Sequence, residues 1–544
     1  MKKLIVAEKP SVGRDIARVL GVRTAGDGYL YGEEYVVTWA IGHLVSLCEP
    51  GEFDERYRKW SMLDLPMLPD HIPLKVLPDT KKQFATVKKL MNSAKISSII
   101  CATDSAREGE LIFRYIYQMA GCVKPVERLW ISSMTDAAIK QGFAQLKPAS
   151  AYDALYESAR CRSEADWLVG MNASRAFSLK YDAHLSVGRV QTPTLNLIVR
   201  RDREIENFVP QDYWEVKANF GDYEGLWINP NPRPVEPSAE EKKDDRRGPE
   251  TRVYDKAAAE QVKNAVKGRP ARVAESTCER KRFQPPQLFD LTSLQREANR
   301  TFGFSADKTL KLAQALYETH KLVTYPRTDS RYLPDDMRPK VKKVLGMLPE
   351  PYAAMVRSEQ MNLDAYSKRY YDNAKISDHH AIVPTDKRAN LSGLKPDERQ
   401  LYDMIVRRLI AIHYPDYVCE NAKIITQVDE HRFKSLGTMP VEEGWHAVYG
   451  AEKSDAKEPP LPKLNVGDER RVEKASVKAS KTKAPQAHTD ASLLKLMENA
   501  GRDIEDETLR EQMKSSGLGT PATRAAVIER LIQVGYARRE KKSI

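Results

Sequence analysis

Two short apolar runs near the start of the chain constrain its fold most, because each leads through a polar loop into a helical pattern. Leu4–Ala7 leads through Glu8–Ser11 into apolar residues at helical spacing, with Ser11 as the predicted N-cap. Ile99–Ala102 leads through charged residues into a helical face that begins at Leu111. These two strand–loop–helix units predict an α/β sheet in residues 1–150, with a site beyond the carboxyl ends of its strands.

Length and charge narrow the class of protein. The chain has 544 residues, which favours several structural units, because single cores stop growing at about 250–300 residues. Lysine and arginine together number 87 against 76 aspartate and glutamate, a net charge of +11. That balance suits a polyanionic partner such as nucleic acid without identifying it.

Several expectations follow from motifs that the sequence lacks. The six cysteines are scattered with no Cys-x-x-Cys pair, so we expect reduced thiols, no zinc site and a cytosolic protein. Glu8 and Lys9 interrupt the first apolar run, and no run reaches the length of a membrane span, which predicts a soluble intracellular chain. The absence of a G-x-x-x-x-G-K-[ST] loop argues against an ATP motor of that class.

Two polar segments predict surface connections. Residues 229–252 are proline-rich and charged, which indicates an exposed loop. Residues 453–489 carry a series of lysines, which predicts a solvated tether rather than a dedicated DNA contact.

Three carboxylates follow the predicted strands. Glu8 ends the first strand, and Asp104 and Glu108 lie just past a later one, so the fold would bring them to one crevice. Such oxygen ligands suit Mg²⁺, and Lys9 adds a positive charge for a phosphate. The residues alone do not distinguish this site from an ordinary polar loop.

A tyrosine within residues 322–330 is a candidate nucleophile. Tyr325 follows a helical pattern that starts after Ser305, and Arg327 lies two residues later. A tyrosine can hold a cleaved phosphodiester covalently, so no ATP is needed for resealing, and arginine can stabilise the developing charge. Residue type alone favours a packed aromatic, because Tyr325 is one of 24 tyrosines.

Seven ordered motifs resemble the type IA DNA topoisomerases, most closely the bacterial topoisomerase III group. They include Thr-Tyr-Pro-Arg-Thr-Asp-Ser around Tyr325 and Ser-Val-Gly-Arg-Val-Gln before Thr192. The motifs are Leu4–Ser11, Ala102–Ile112, Arg160–Ala176, Ser186–Leu195, Thr324–Ser330, Asp378–Thr385 and Gly517–Arg524.

The resemblance implies a multidomain α/β plus α+β fold, in which a Rossmann-like Toprim domain joins a toroidal core of three further domains. The expected Toprim domain covers residues 1–150. The expected single-strand-binding domain covers 151–213 and 470–544, the arch domain 214–284 and 386–469, and the tyrosine-bearing domain 285–385.

The resemblance also implies an ATP-independent enzyme that cleaves one DNA strand, leaves a 5′-phosphotyrosine, passes a strand and reseals. It would relax negative supercoils and decatenate DNA. Tyr325 matches the nucleophile, and Glu8 matches a general acid that also binds Mg²⁺. Lys9 and Arg327 match the cations at the phosphate, and His379 matches a histidine near the tyrosine.

One position departs from the family pattern. The usual Asp-x-Asp-x-Glu reads Asp104-Ser105-Ala106-Arg107-Glu108, and Ala106 cannot bind a metal. We therefore expect one Mg²⁺ held by Glu8 and Asp104, with Glu108 as outer support.

The family pattern further implies a grip on single-stranded DNA, in which aromatic rings stack on bases and arginines bind phosphate. The implied residues are Trp60, Arg162, Trp167, Arg175, Ser186, Val187, Gly188, Arg189, Val190, Gln191 and Arg327. Arg524 is a further, less specific candidate.

Two rival functions stay open at this stage. A Toprim nuclease shares the acidic loop but would form no covalent adduct, and a catalytically lapsed clamp would bind single strands without cutting. The chain ends where family members usually continue, so a truncated chain and a short natural variant both stay open. We expect a monomeric bacterial protein of the cytoplasm, at the nucleoid or a plasmid, with a helicase as candidate partner.

Overall fold

The structure is a computed structural model that describes residues 1–131, 134, 136–233, 248–376, 379–450, 459–503, 507–514 and 517–544. It contains two compact units. The first comprises Met1–Thr194, Arg327–Ser330 and Asn373–His380, and the second comprises Leu195–Pro326, Arg331–Asp372 and Ala381–Ile544.

A seven-stranded sheet forms the centre of the first unit. Its strands are β1 (Lys2–Ala7), β2 (Thr24–Gly26), β3 (Tyr29–Tyr31), β4 (Tyr35–Trp39), β7 (Ile96–Ala102), β8 (Val126–Arg128) and β9 (Lys147–Pro148). They are ordered β2-β3-β4-β1-β7-β8-β9. A separate antiparallel pair consists of β5 (Val45–Leu47) and β6 (Leu74–Val76).

The central strands of this sheet are parallel and buried on both faces. β1 pairs with β4 and β7, and Ala7 is the register partner of both Trp39 and Ala102. Leu4 and Val6 enter one apolar core and Ile5 enters another. Both cores explain why β1 reads as a continuous apolar run, and they place the carboxyl ends of three strands side by side.

Among the described residues, six α-helices lie wholly in the first unit, and a seventh, α7 (Gln191–Glu206), spans its boundary. The six are α1 (Pro10–Val19), α2 (Pro50–Phe53), α3 (Lys81–Met91), α4 (Arg107–Ala120), α5 (Asp136–Ala144) and α6 (Asp153–Tyr181). The predicted N-cap at Ser11 is wrong, because α1 begins at Pro10 with Lys9 in the N-cap position. Proline suits the first helical position, since its φ is already helical and its missing N–H has no partner there.

The second unit contains a seven-stranded antiparallel sheet. Its strands are β10 (Asp212–Asn219), β11 (Glu224–Trp227), β12 (Pro270–Phe283), β13 (Tyr417–Val428), β14 (His431–Glu442), β15 (Glu469–Arg471) and β16 (Lys474–Lys481). Their order is β15-β12-β13-β14-β11-β10-β16.

The second unit contains further helices, of which those within residues 291–411 contribute to one large apolar core and the first contributes to the core of the antiparallel sheet. They are α8 (Lys256–Val266), α9 (Leu291–Phe302), α10 (Ala306–Glu318), α11 (Arg338–Met347), α12 (Tyr352–Val356), α13 (Pro396–Ala411), α14 (Asp490–Glu498), α15 (Glu507–Lys514) and α16 (Pro521–Gln533). The predicted helix after Ser305 is confirmed as α10, and the Ser305 side chain accepts a hydrogen bond from the Lys308 N–H at 3.1 Å.

The predicted tether over residues 453–489 is wrong for its second half, which forms β15 and β16. Ala475 and Val477 pack against an apolar core, while the alternate positions Lys474 and Lys478 do not. Residues 451–458 lie outside the described residues, as do 234–247 of the predicted loop. No described helix is both long and apolar enough to cross a bilayer.

Candidate active site

Two carboxylates stand beside each other past the ends of β1 and β7. Glu8 follows β1 directly, and Asp104 follows β7 after Thr103. Because Ala7 and Ala102 are register partners, the two loops start at the same edge of the sheet. The backbone N–H of Asp104 donates to Oε2 of Glu8 at 3.2 Å. The sheet therefore brings together two acids that are distant in sequence.

The charge state of Glu8 is shifted by its surroundings. Glu8 is only 8% exposed, and Nζ of Lys9 lies 3.7 Å from Glu8 and 3.8 Å from Asp104. Burial, reinforced by the charge of Asp104, raises the pKa of Glu8 to about 7. At neutral pH this carboxyl is protonated for much of the time, so it can donate a proton.

The same pair of carboxylates fits a magnesium ion. Mg²⁺ prefers one or two carboxylates and takes its remaining ligands from water and phosphate oxygens. A divalent cation would relieve the repulsion between Glu8 and Asp104 and favour the ionised form of Glu8. Within the described residues, no group of three or more His, Cys, Asp or Glu side chains is arranged to hold a metal. The donor set therefore suits an ion that shares its coordination with water and a substrate phosphate.

Glu108 is engaged by a histidine that the sequence reasoning missed. Nε2 of His43 lies 2.6 Å from Oε1 of Glu108, and this contact raises the pKa of His43 and lowers that of Glu108. His43 belongs to the loop after β4, the strand that flanks β1 on the side opposite β7. Its position past a strand of the same parallel set was the available signal. The pairing is consistent with a supporting place for Glu108 beside the two acids.

A buried arginine holds the loop between β7 and α4, residues 103–106. The side chain of Arg128 is 0% exposed and pairs with Glu110 at 3.0 Å. Its guanidinium donates to four backbone carbonyls, those of Cys101, Thr103, Asp104 and Leu129. A Cβ at Gly109 would lie 2.1 Å from the Asp104 carbonyl oxygen, so α4 approaches this loop as closely as glycine allows.

His379 belongs to the same compact unit as Glu8 and Asp104. Burial lowers its pKa to about 4, although the charge of nearby Asp104 acts in the opposite direction. The Thr328 hydroxyl donates to the His379 carbonyl at 2.9 Å. The structure thus places a neutral imidazole within electrostatic reach of Asp104 and Lys9, and Arg327 adjoins Thr328 in the chain. Asp378, which begins this motif, lies outside the described residues.

Tyr325 belongs to the second compact unit. Its half-buried ring packs edge-on against Tyr317, with ring centroids 5.5 Å apart and an interplanar angle of 76°. The neighbouring Thr324 hydroxyl donates to the Ala381 carbonyl at 3.1 Å. These contacts hold the tyrosine segment within its own unit, and the catalytic role of Tyr325 stays a prediction.

The predicted stacking residues differ in exposure. Trp60 is 39% exposed, with the Arg175 guanidinium 5.3 Å and the His184 ring 6.1 Å from its centroid. Trp167 is buried, and its indole N–H donates to the Cys48 carbonyl at 2.8 Å. Arg175 is also buried and donates to the Tyr57 carbonyl at 2.8 Å. Trp60 is therefore partly accessible although Arg175 and His184 contact its ring, whereas Trp167 and Arg175 are buried.

The predicted DNA-binding segment Ser186–Gln191 lies against α6. The Ser174 hydroxyl accepts from the Val187 N–H at 2.8 Å, and the Gln191 amide donates to the Ser186 hydroxyl at 3.0 Å. Arg189 pairs with Asp166 at 2.6 Å. Gly188 and Val190 complete the segment. Arg162 lies close enough to Glu108 and Arg189 for electrostatic interaction with both. Arg524 is buried in the second unit, with its guanidinium bonded to the Leu518 and Gly519 carbonyls.

Comparison with known families gives two matches along the chain. Residues 3–134 match the Toprim domain, and residues 150–544 match the DNA topoisomerase family. The chain belongs to the type IA DNA topoisomerases. It is accordingly an ATP-independent topoisomerase, an isomerase that acts on DNA, and the Toprim domain is of a generally Mg²⁺-binding kind.

Two similar relatives are bacterial enzymes of the topoisomerase 3 kind. The chain is 41% identical to DNA topoisomerase 3 of Bacillus subtilis over 97% of this chain and 72% of the relative. It is 41% identical to DNA topoisomerase 3 of Bacillus licheniformis over 100% of this chain and 74% of the relative. Full-length topoisomerase I of Thermotoga maritima superposes with a TM-score of 0.68 at 22% identity, covering 99% of this chain and 80% of that one. The superposition confirms the predicted fold class.

Proposed function

We propose that this topoisomerase cleaves single-stranded DNA through Tyr325, holds a 5′-phosphotyrosine, passes another strand and reseals the break. Relaxation of negative supercoils and separation of interlinked DNA molecules follow from that cycle. The observation that carries the proposal is the cluster of Glu8, Asp104 and Lys9 at one sheet edge. The raised pKa of Glu8 makes it a proton donor, and Lys9 supplies a cation beside it.

In the proposed cleavage step the Tyr325 oxygen attacks phosphorus and its hydroxyl proton passes to solvent. The bond from phosphorus to the 3′-oxygen breaks, and Glu8 gives its proton to the leaving oxygen. Lys9 and Arg327 offset the charge that develops on the phosphate oxygens. Resealing is the reverse, so the phosphotyrosine bond conserves the energy of the broken ester.

Glu8 and Asp104 would hold one Mg²⁺, which supplies positive charge against the phosphate when bound. Glu108, held by His43, would support that pair rather than complete it. His379 is neutral at physiological pH because of its lowered pKa, so it would offer a hydrogen bond near the phosphate without adding charge.

The proposed DNA grip uses the exposed face of Trp60 for base stacking and Arg162 with Ser186–Gln191 for the backbone. Arg175 would support the Trp60 ring from the protein interior. We further propose a monomer that acts on DNA with a single-stranded segment in the bacterial cytoplasm, at the nucleoid or a plasmid, with a helicase opening the duplex.

The deciding experiment incubates the protein and Mg²⁺ with 5′- and 3′-labelled single-stranded oligonucleotides and separates the products on a denaturing gel. We expect a protein-linked product that carries the 3′ label, because Tyr325 stays joined to the 5′-phosphate of the downstream fragment, and we expect its loss in Tyr325→Phe. Tyr366→Phe is the matched control, because it removes one hydroxyl from another tyrosine of the same unit, 47% exposed.

Each alternative has its own signature in this experiment. Free cut ends without an adduct would indicate a Toprim nuclease. Salt-sensitive binding without any cutting over a range of Mg²⁺ concentrations would indicate a lapsed clamp, the alternative to which Ala106 points. An adduct that persists in Tyr325→Phe would overturn the assignment of the nucleophile.

A further inference from the structure

Two large aromatic side chains lie side by side on the surface of α6. Phe177 is 47% exposed and Tyr181 is 63% exposed. Their rings stack with centroids 6.1 Å apart and an interplanar angle of 16°. Neither residue is the predicted nucleophile, one of the carboxylates beside Glu8 or one of the predicted DNA-binding residues. Two adjacent exposed rings form an apolar surface on which a flat ligand can stack.

The aromatic pair shares a helix face with the predicted DNA-binding segment. Residues spaced by three or four positions lie on one side of a helix. The side that carries the pair also carries Arg162, Asp166, Gly170 and Ala173.

The segment that follows α6 turns back along this side. The Ser178 hydroxyl accepts from the Leu185 N–H at 2.9 Å, and Asp166 pairs with Arg189 at 2.6 Å. A Cβ at Gly170 would lie 3.6 Å from the Val187 carbonyl oxygen. The predicted DNA-binding segment therefore runs beside α6 from the region of the aromatic pair toward Arg162.

The cations along this face outnumber its acids, which suits a polyanion that carries flat bases. Arg162 and Arg189 lie toward one end, where Asp166 pairs with Arg189, and the exposed Lys180 lies between the two rings in sequence. Rings stack on bases without sequence preference, while the cations contact the backbone. Arg162 and Phe177 are about 22 Å apart along the helix axis at about 1.5 Å per residue, which a stacked strand covers in about six nucleotides at about 3.4 Å each.

We infer that Phe177 and Tyr181 form a base-stacking platform for single-stranded DNA, at the far end of the α6 face from Arg162. The inference deepens the proposed function and rests on it for the identity of the ligand. It predicts that the protein gains affinity from strand length beyond the segment held at Arg162 and Ser186–Gln191.

The test measures binding of fluorescent oligothymidylates of about 5 and about 15 nucleotides to the full chain, by anisotropy at fixed salt. In Phe177→Ala/Tyr181→Ala, affinity for the long strand should fall about tenfold or more, while affinity for the short strand changes far less. Phe177→Tyr/Tyr181→Phe keeps both rings and should bind both strands as the wild type does. Tyr31→Ala is the matched control, an exposed ring on β3 of the same unit.

Unchanged long-strand binding in the double alanine variant would overturn the inference. An equal loss for both lengths would also overturn it, because it would indicate damage to the common groove. Tyr181→Ala alone removes the more exposed ring, so it keeps the test valid if the double variant melts early. Adduct formation by the wild type reports on the proposed function separately, since it concerns Tyr325 and not the platform.

Discussion

Glu8 occupies surroundings that disfavour its charged form. The side chain is buried, Asp104 is its nearest acid, and Lys9 provides the compensating charge at 3.7 Å. Because burial raises the pKa of Glu8 from its ordinary value of 4.5 to about 7, ionisation opposes folding over part of the pH scale.

Glu8→Gln should stabilise the metal-free protein at high pH and leave it unchanged at low pH. Below pH 4.5 the carboxyl is protonated in both the folded and the unfolded chain, so the raised pKa has no effect on stability. As pH rises to about 7 the unfolded chain ionises first, and above pH 7 the full destabilisation is present.

The measurement is calorimetry in EDTA at two pH values. At pH 8 we expect the variant to be more stable by about 3 kcal/mol, a shift of several degrees in melting temperature, and at about pH 4 we expect no difference. Glu33→Gln, an exposed acid of the same unit, serves as control. A variant that gains nothing at pH 8 would contradict the raised pKa.

Asp104 and Glu108 should differ in their effect on magnesium dependence. Asp104→Asn removes a proposed ligand, whereas Glu108→Gln removes a carboxylate already paired with His43. The half-saturating Mg²⁺ concentration for cleavage should rise at least about tenfold more in Asp104→Asn than in Glu108→Gln. Equal shifts in a Mg²⁺ titration would place Glu108 among the direct ligands.

At the scale of the element, the loop between β7 and α4 depends on a buried ion pair. Arg128 donates to four carbonyls around this loop, and Glu110 keeps a second partner in Arg114 at 2.8 Å. Both members of the Arg128–Glu110 pair are almost fully buried. Loss of the arginine would leave several polar groups without partners inside the protein.

Arg128→Met should therefore destabilise the protein by about 3 kcal/mol. Arg160→Met is the control, because its partners Glu157 and Glu164 are more exposed and the expected loss is below about 1 kcal/mol. Adding Glu110→Gln to Arg128→Met should restore part of the loss by removing the buried charge. Equal melting temperatures for the two single variants would show that the loop does not depend on Arg128.

The elements that the sequence predicted best are those with one dominant signal. β1 and β7 contain apolar runs and are followed by carboxylates, so the apolar runs were enough to predict where these strands lie. β16 was missed because lysine, serine and alanine have low strand propensity, and only its pairing with β10 along eight register partners makes it a strand.

Some residues of the candidate site could be predicted from local sequence, and others could not. Glu8 and Asp104 could be predicted from strand ends, whereas His379 entered only through the resemblance, because nothing local links residue 379 to the first sheet. His43 was missed, since its partner Glu108 lies 65 positions away. The burial of Trp167 could not be predicted either, because the sequence does not distinguish a tryptophan that packs inside the protein from one that stacks on a base.

At the scale of the whole molecule, the first unit is assembled from three stretches of chain. The two apolar cores described around its sheet come entirely from residues before Cys161. Arg327–Ser330 and Asn373–His380 complete the unit without contributing to those cores. The sheet and the catalytic surroundings are therefore separable in principle.

A fragment of residues 1–194 should keep its sheet but lose order in the acidic loops. Hydrogen exchange should show β1 and β7 still protected, while amides near Glu8 and Asp104 exchange at least about tenfold faster than in the full chain. The comparison is by mass spectrometry at matched pH. Loops protected as well as in the full chain would show that the later stretches are dispensable, and an unprotected sheet would show that the cores do not suffice.

The same discontinuity sets an order of events during synthesis. The ribosome makes Glu8 some 370 residues before His379, an interval of about 20 to 70 s at about 5–20 residues per second. Throughout that time the nascent chain carries Glu8 without the His379 imidazole that later joins the same unit. A growing chain can thus fold early and acquire its complete set of reactive groups only after Tyr325 has been made.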